Sequence, residues 1–215
     1  MDVLQTHEWI RAIAAVVARN EKELCNLDAA IGDGDHGTNL KRGFDAALAA
    51  LDAPDTASAA APDSVGGVLV ATGTTLISSV GGASGPLFGS AFRGMGRALG
   101  TDAEVTAGQF AAALSAGLGE VQRFGAAVPG DKTMVDALLP AVTAFRESAA
   151  GNGSFAAAAR AAAEAAEAGA RACVALQARK GRASYLGLRS IGHPDPGATS
   201  TAFVFAALAD TVEPA

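Results

Sequence analysis

Aromatic residues, cysteine and charge are all in short supply in this chain, and each shortage removes a class of protein. Of 215 residues only one is Trp and one Tyr, so two of the residue types that favour strands are nearly missing. Alanine, the best helix former, supplies much of the 50% hydrophobic content, and the balance leans towards closely packed helices. Two cysteines, Cys25 and Cys173, are too few for a disulfide framework and lack zinc-ligand spacing, so reduced thiols in or near the core are expected. Charged residues make up 18% of the chain and sum to −6, which leaves no basic face for nucleic acid or an anionic membrane. No apolar run reaches the roughly 18 residues needed to cross a bilayer. The opening Met1 to Glu8 lacks the charged and apolar regions of a signal peptide, so a cytoplasmic location is expected, with neither nucleic acid nor membrane as partner. Period-2 runs, internal repeats and a dividing linker are also missing, and residues 1–215 read as a single all-α domain.

Helical periodicity fills the space that remains. The spacing predicts eight helices with these stripes: Ile10, Ile13, Val17 and Leu24; Leu40, Phe44, Leu48 and Leu51; Val65, Leu69, Thr72 and Leu76; Phe88, Phe92, Met95 and Leu99, stopping at Gly100. The fifth opens with Thr106 and Gln109 as a capping box and carries Phe110, Leu114, Leu118 and Val121. The sixth is expected to be capped by Asp131 and kinked at Pro140, with Met134, Leu138, Val142 and Phe145 buried. The seventh is expected from Ser154 to about Ala178, with Arg160, Glu164, Glu167 and Arg171 as a solvated stripe. Ala198 to about Ala209 makes the eighth.

Three aspartates stand within the eight residues Asp28 to Asp35, and glycines flank the last two, in the stretch Asp28-Ala-Ala-Ile-Gly-Asp33-Gly-Asp35-His36-Gly37-Thr38-Asn39. Carboxylate oxygens suit hard cations, and the glycines let backbone N–H groups approach a phosphate. An EF-hand does not fit: counted from Asp33, the fifth loop residue is Gly37 and the twelfth Phe44, where oxygen ligands are needed. Mg²⁺ is the cation expected. If eight helices alternate up and down through short loops, every odd-to-even connection lies at one end. Those connections are Asp28 to Gly37, Gly81 to Gly85, Gly125 to Asp131 and Arg179 to Gly197. They hold a glycine-rich helix start, a Pro-Gly-Asp-Lys turn, the basic run Arg179-Lys-Gly-Arg182 and the proline-braced Gly192-His-Pro-Asp-Pro-Gly197. The other end receives Asp52 to Ser58, Gly100 to Ala103 and Gly151 to Ser154, which read as polar turns. A nucleotide-phosphate site at one end, built on Mg²⁺ and backbone amides without a Rossmann fingerprint or Walker lysine, is the expectation.

With these motifs together, and with Ser79-Val-Gly-Gly-Ala-Ser-Gly-Pro86 and Ala178-Arg-Lys-Gly-Arg-Ala-Ser-Tyr-Leu186 among them, the chain resembles over essentially its whole length the L subunit of dihydroxyacetone kinase, the nucleotide-binding part of a two-component sugar kinase. The resemblance implies a barrel of eight antiparallel helices with ADP or ATP at one rim. It implies that Asp28, Asp33 and Asp35 coordinate two Mg²⁺ ions bridging the nucleotide phosphates. His36, Gly37, Thr38 and Asn39 would line the nucleotide, with Ala83 and Ser84 at the phosphates; Gly125, Met134 and Arg182 would shape the pocket, and Asp195, Pro196 and Gly197 would close it. No catalytic base is assigned, and the three aspartates are ligands in this reading. Thr74 departs from the methionine found in many members. The implied partner is a K subunit that carries the ketose. Two phosphate sources stay open: a phosphohistidine protein of the phosphotransferase system that recharges retained ADP, or exchangeable ATP, in some members with four-carbon ketoses as acceptors. Docking of the nucleotide-loaded chain on a transcriptional regulator is the alternative function, and a homodimer is left open.

Overall fold

The computed structural model describes residues 1–53, 62–151 and 153–212, and among these it contains nine α-helices and no strand. They are α1 Val3–Arg19, α2 Glu21–Ile31, α3 His36–Leu51, α4 Val65–Ser79, α5 Ser84–Leu99, α6 Ala107–Gly125, α7 Val135–Ala150, α8 Phe155–Ala172 and α9 Pro196–Val212. Short 3₁₀ segments follow α8 at Cys173–Ala175 and Arg182–Ser190. From α3 onwards each helix packs on its successor, while α1 packs on both α3 and α9. Eight helices therefore form a closed ring, with α2 extending from it beside α3.

The stripes explain the ring. Ile10, Ile13, Val17 and Leu24, Leu40 and Phe44, Val65 and Leu69, Phe110, and Phe145 are buried completely or nearly so in one continuous core. The few aromatics concentrate there: Trp9 lies against Phe92 and Phe110, and Phe110 lies against Phe145 and Phe155, with ring centroids 5.1 to 5.8 Å apart. Trp9 also donates its indole N–H to the Val204 carbonyl at 3.0 Å, which joins α1 to α9 across the seam of the ring. The capping box at Thr106 and Gln109 forms as expected, and Gly100 ends α5 with φ 65°.

Four expectations are corrected. The first helix breaks at Asn20, whose side-chain amide and backbone N–H both turn back to the Val16 carbonyl, a local bond that competes with helix continuation. Asp131 does not cap the sixth helix. Its carboxylate accepts from Val128 N, while the Asp136 carboxylate accepts from Gly130 N and Thr133 N, because φ values of +91° at Gly130 and +60° at Lys132 turn those donors towards α7. The seventh predicted helix stops at Ala172 rather than Ala178, where a lysine takes the carbonyls that the next turn would need. The last helix starts two residues earlier than predicted and runs three further, because Asp195 caps it by accepting from Ala198 N at 2.7 Å. Pro140 lies inside α7, and the helix continues through it. Of the turns expected at the opposite end, residues 54–58 and Asn152 lie outside the described residues. Among the described residues, no helix is long and apolar enough to cross a membrane.

Candidate functional site

The four connections expected at one end, now α2–α3, α4–α5, α6–α7 and α8–α9, meet around one cavity of about 270 Å³. The first connection begins on the last turn of α2 with Asp28. A Cβ at Gly32 would lie 2.2 Å from Asp28 Oδ1, so the missing side chain is what leaves room for that carboxylate. Gly34, at φ 80°, then reverses the chain. Asp28 Oδ2 accepts from the N–H groups of Asp35 and His36 at 3.0 and 3.3 Å, and so caps α3 from the preceding helix. Burial raises the affinity of Asp28 for its proton, the backbone donors of Asp35 and His36 oppose this, and the neighbouring Asp33 adds to it. One oxygen from each of Asp28, Asp33 and Asp35 lies within 4.8 Å of the others. Three like charges at this spacing with hard oxygen donors fit a divalent cation of the Mg²⁺ or Ca²⁺ class. The Arg182 guanidinium, 2.9 Å from Asp33, is the side chain that offsets part of their charge.

His36 ties three helices together. Its Nδ1 lies 3.0 Å from Ser84 Oγ at the start of α5, and its Nε2 lies 2.9 Å from Ser200 Oγ on α9. Burial lowers its pKa to about 4, so the ring is neutral at physiological pH and acts as a hydrogen-bonding brace. In the second connection, Gly81-Gly82-Ala83 leads into α5, whose start has no side-chain cap and no acidic residue in its first turn. The unpaired N–H groups and positive helix end there suit an anion.

The third connection holds both non-glycine residues with positive φ among the described residues, Ala126 at 47° and Lys132 at 60°. Lys132 is 1% exposed, and its ammonium donates to the carbonyls of Cys173 at 2.5 Å and His193 at 2.6 Å, with Val174 O at 3.5 Å. Burial lowers its pKa. The fourth connection docks on the third through Arg179 N to Asp131 O at 3.0 Å. Burial pushes the Asp195 carboxyl up to about 7, with the Ala198 N–H and Lys132 pulling the other way. Burial also pushes the Cys173 thiol up to about 12; Cys173 and the half-buried Cys25 are both free.

Of the residues expected at the site, Asp28, Asp33, Asp35, His36, Ala83, Ser84, Gly125, Met134, Arg182, Asp195, Pro196 and Gly197 all line the cavity. Gly37, Thr38 and Asn39 do not. A Cβ at Gly37 would meet the Glu21 carbonyl at 2.1 Å and Thr38 donates to Glu21 at 3.0 Å, so these two face α2, while Asn39 accepts from Arg42 at 2.8 Å and lies against Gly81 at the edge of the cavity wall. Thr74 is exposed on α4 and bonds back to the Val70 carbonyl. Sequence reasoning missed the structural parts played by Lys132 and Ser200, and the apolar wall of Ile31, Leu87, Phe88 and Ala127. The run Thr199-Ser-Thr201 at the start of an otherwise apolar helix was the available signal for Ser200. A lysine in a polar loop gives none.

Known proteins resemble the chain over most of its length. The chain is 42% identical over 205 residues to the ADP-binding subunit of PEP-dependent dihydroxyacetone kinase of Escherichia coli K12, with 95% of each chain covered. It is 39% identical over 201 residues to D-erythrulose kinase of Mycolicibacterium smegmatis, covering 94% of this chain and 34% of that one. A crystal structure of the C. freundii dihydroxyacetone kinase with AMP-PNP and Mg²⁺ superposes with a TM-score of 0.69 at 27% identity, over 98% of this chain and 34% of that one. The DAK2 domain model matches residues 30–210, and the chain belongs to that family.

Proposed function

We propose that the chain is the nucleotide-binding subunit of a two-component dihydroxyacetone kinase, which passes a phosphoryl group from a Mg²⁺-bound adenine nucleotide to a short ketose held on a separate K subunit. The observation that carries this is the convergence of Asp28, Asp33 and Asp35 within 4.8 Å, on the same cavity as the uncapped start of α5. These carboxylates would hold magnesium, two ions in this reading, and the bound metal supplies neutralisation of charge on the phosphate oxygens. The remaining work falls to the chain's own groups. The amides at Ala83 and Ser84, on the cavity wall after Gly82 at φ 67°, would hold the phosphates. Lys180 and Arg182 add positive charge at the mouth, and Ile31, Leu87, Phe88 and Ala127 offer an apolar wall for the base. His36 is neutral and doubly bonded, so it orients Ser84 rather than moving a proton.

Large apolar side chains left in solvent at this end support docking of a partner over the cavity. Tyr185 is 88% and Leu188 72% exposed on the fourth connection, and Phe124 and Val128 are each 57% exposed beside the third. The similarity to the PEP-dependent E. coli subunit supports the relay branch, in which a phosphohistidine protein recharges bound ADP. The deciding experiment supplies the chain, a K subunit and dihydroxyacetone with either ATP or phosphoenolpyruvate and the phosphotransferase carriers. Transfer with the carriers alone is expected. Transfer with ATP alone would move the chain to the ATP-dependent branch, and no transfer with either would overturn the kinase assignment. Within this assay, Asp33→Asn should weaken Mg²⁺ binding by at least about tenfold with little effect on folding, because its side chain is partly exposed and donates nothing to the core. Calorimetric titration with Mg²⁺ and ADP measures this.

A further inference from the structure

Lys132 holds its charge in a place where a phosphate-binding lysine would not. Lys132 is among the residues that line the cavity, yet its side chain is buried to 1% exposure and its Nζ is bonded to the carbonyls of Cys173, Val174 and His193. Cys173 and Val174 lie at the C-terminal end of α8, where carbonyls lack helical partners and the helix dipole favours a cation. His193 lies just before α9. The chain between these points leaves the ring and returns, and Gly192 N bonds to Val174 O at 2.8 Å to close its neck. Ala178 N to Ser190 Oγ at 2.9 Å and Ser190 Oγ to Gly187 O at 2.6 Å brace it internally. Lys132 thus reaches from a different connection, at a left-handed φ of 60° that a non-glycine residue rarely adopts, to the base of this excursion. The excursion carries Lys180 and Arg182 to the cavity mouth, and α9 begins immediately after it with Asp195 at its cap.

We propose that Lys132 is a positioning residue: a tethered ammonium that gathers three carbonyls at the neck of residues 174–192 and so sets where Lys180, Arg182 and Asp195 stand around the nucleotide. This rests on the nucleotide-site reading above, but it separates into two measurements, one of which needs no ligand. The first is amide hydrogen exchange over residues 174–192 in the full chain without nucleotide, and the second is Mg·ADP affinity by calorimetry. Lys132→Ala removes a group equivalent to propylammonium, so each measurement is repeated with added propylammonium chloride and, as control, with sodium chloride at equal ionic strength.

Loss of a charged hydrogen-bonding hub predicts faster exchange in 174–192 and about a tenfold fall in Mg·ADP affinity. Propylammonium, and not sodium, should restore both together. Lys132→Arg keeps the charge but spreads it over a planar fork that cannot converge on three carbonyls at ammonium distances, so it should fold and show the same paired change at smaller size. If truncation prevents folding, this second variant decides. Reduced affinity with unchanged exchange would mean that Lys132 touches the nucleotide directly, and faster exchange with unchanged affinity would mean that the excursion's position is irrelevant to the site; either result overturns the proposal. Absence of Mg·ADP binding in the unsubstituted chain would count against the kinase reading, while the exchange arm would still test what Lys132 does at the neck of residues 174–192.

Discussion

Asp195 meets two demands that pull against each other. It must accept from Ala198 N to start α9, and it must do so almost out of reach of water, so its carboxyl is pushed up to about 7. An unfolded chain loses this proton near the ordinary value of 3.8. Between about pH 4 and 7 the folded state therefore holds a proton that the unfolded state has released, and stability contributed by this group falls as pH rises, by up to about 1.4 kcal/mol per pH unit, levelling off above 7. Asp195→Asn keeps an acceptor for the cap and removes the titration. In metal-free protein, denaturant melts from pH 4 to 8 should show the substituted chain losing less stability than the parent as pH rises through 7. An equal slope in both would mean that Asp195 is ionised in the fold throughout. At this scale the sequence was informative where chemistry is local, as in the aspartate cluster. It was silent where a side chain acts through partners far along the chain: Lys132 bonds to residues 41 and 61 positions away, and His36 to Ser84 and Ser200.

The helices were legible because each buries a stripe at 3.6-residue spacing against its neighbours, and β-branched Val65 and Val68 did not disturb this in α4. The bend at Asn20 and the early stop of α8 were not legible, since one depends on a side-chain bond competing with the helix and the other on a lysine from another connection. Close helix pairing was also hidden. In α4 and α5, Gly66 and Gly73 face Gly96 and Gly89, and a Cβ at Gly73 would come within 2.5 Å of the Gly89 carbonyl and 2.8 Å of Arg93 N. Backbone cannot yield as a flexible side-chain tip would. Gly73→Ala gains about 1 kcal/mol of helix propensity, but forcing these helices apart costs more, for a net loss of about 1–3 kcal/mol. Thermal melts of Gly73→Ala against a solvent-facing control, Gly119→Ala, whose Cβ meets nothing within 4 Å, would separate the two effects. The control should be neutral or slightly stabilised.

For the molecule as a whole, the site joins connections from the first helices to the last, so a ligand bound there braces the entire ring. At a hundredfold excess over Kd, Mg·ADP should add about 2.7 kcal/mol and raise Tm by about 5–10 °C. Removing the metal with EDTA should cancel the gain, as read by calorimetric scanning; a shift that survives EDTA would mean that the nucleotide is held without the metal. The ring has a kinetic side too. Nearly every helix finds its partner next in sequence, which permits quick local assembly, yet the circle is complete only when α9 meets α1. Trp9, the sole indole in the chain, sits on that junction and donates to Val204 across 195 positions of sequence. Its fluorescence should therefore report when this longest-range junction closes during folding.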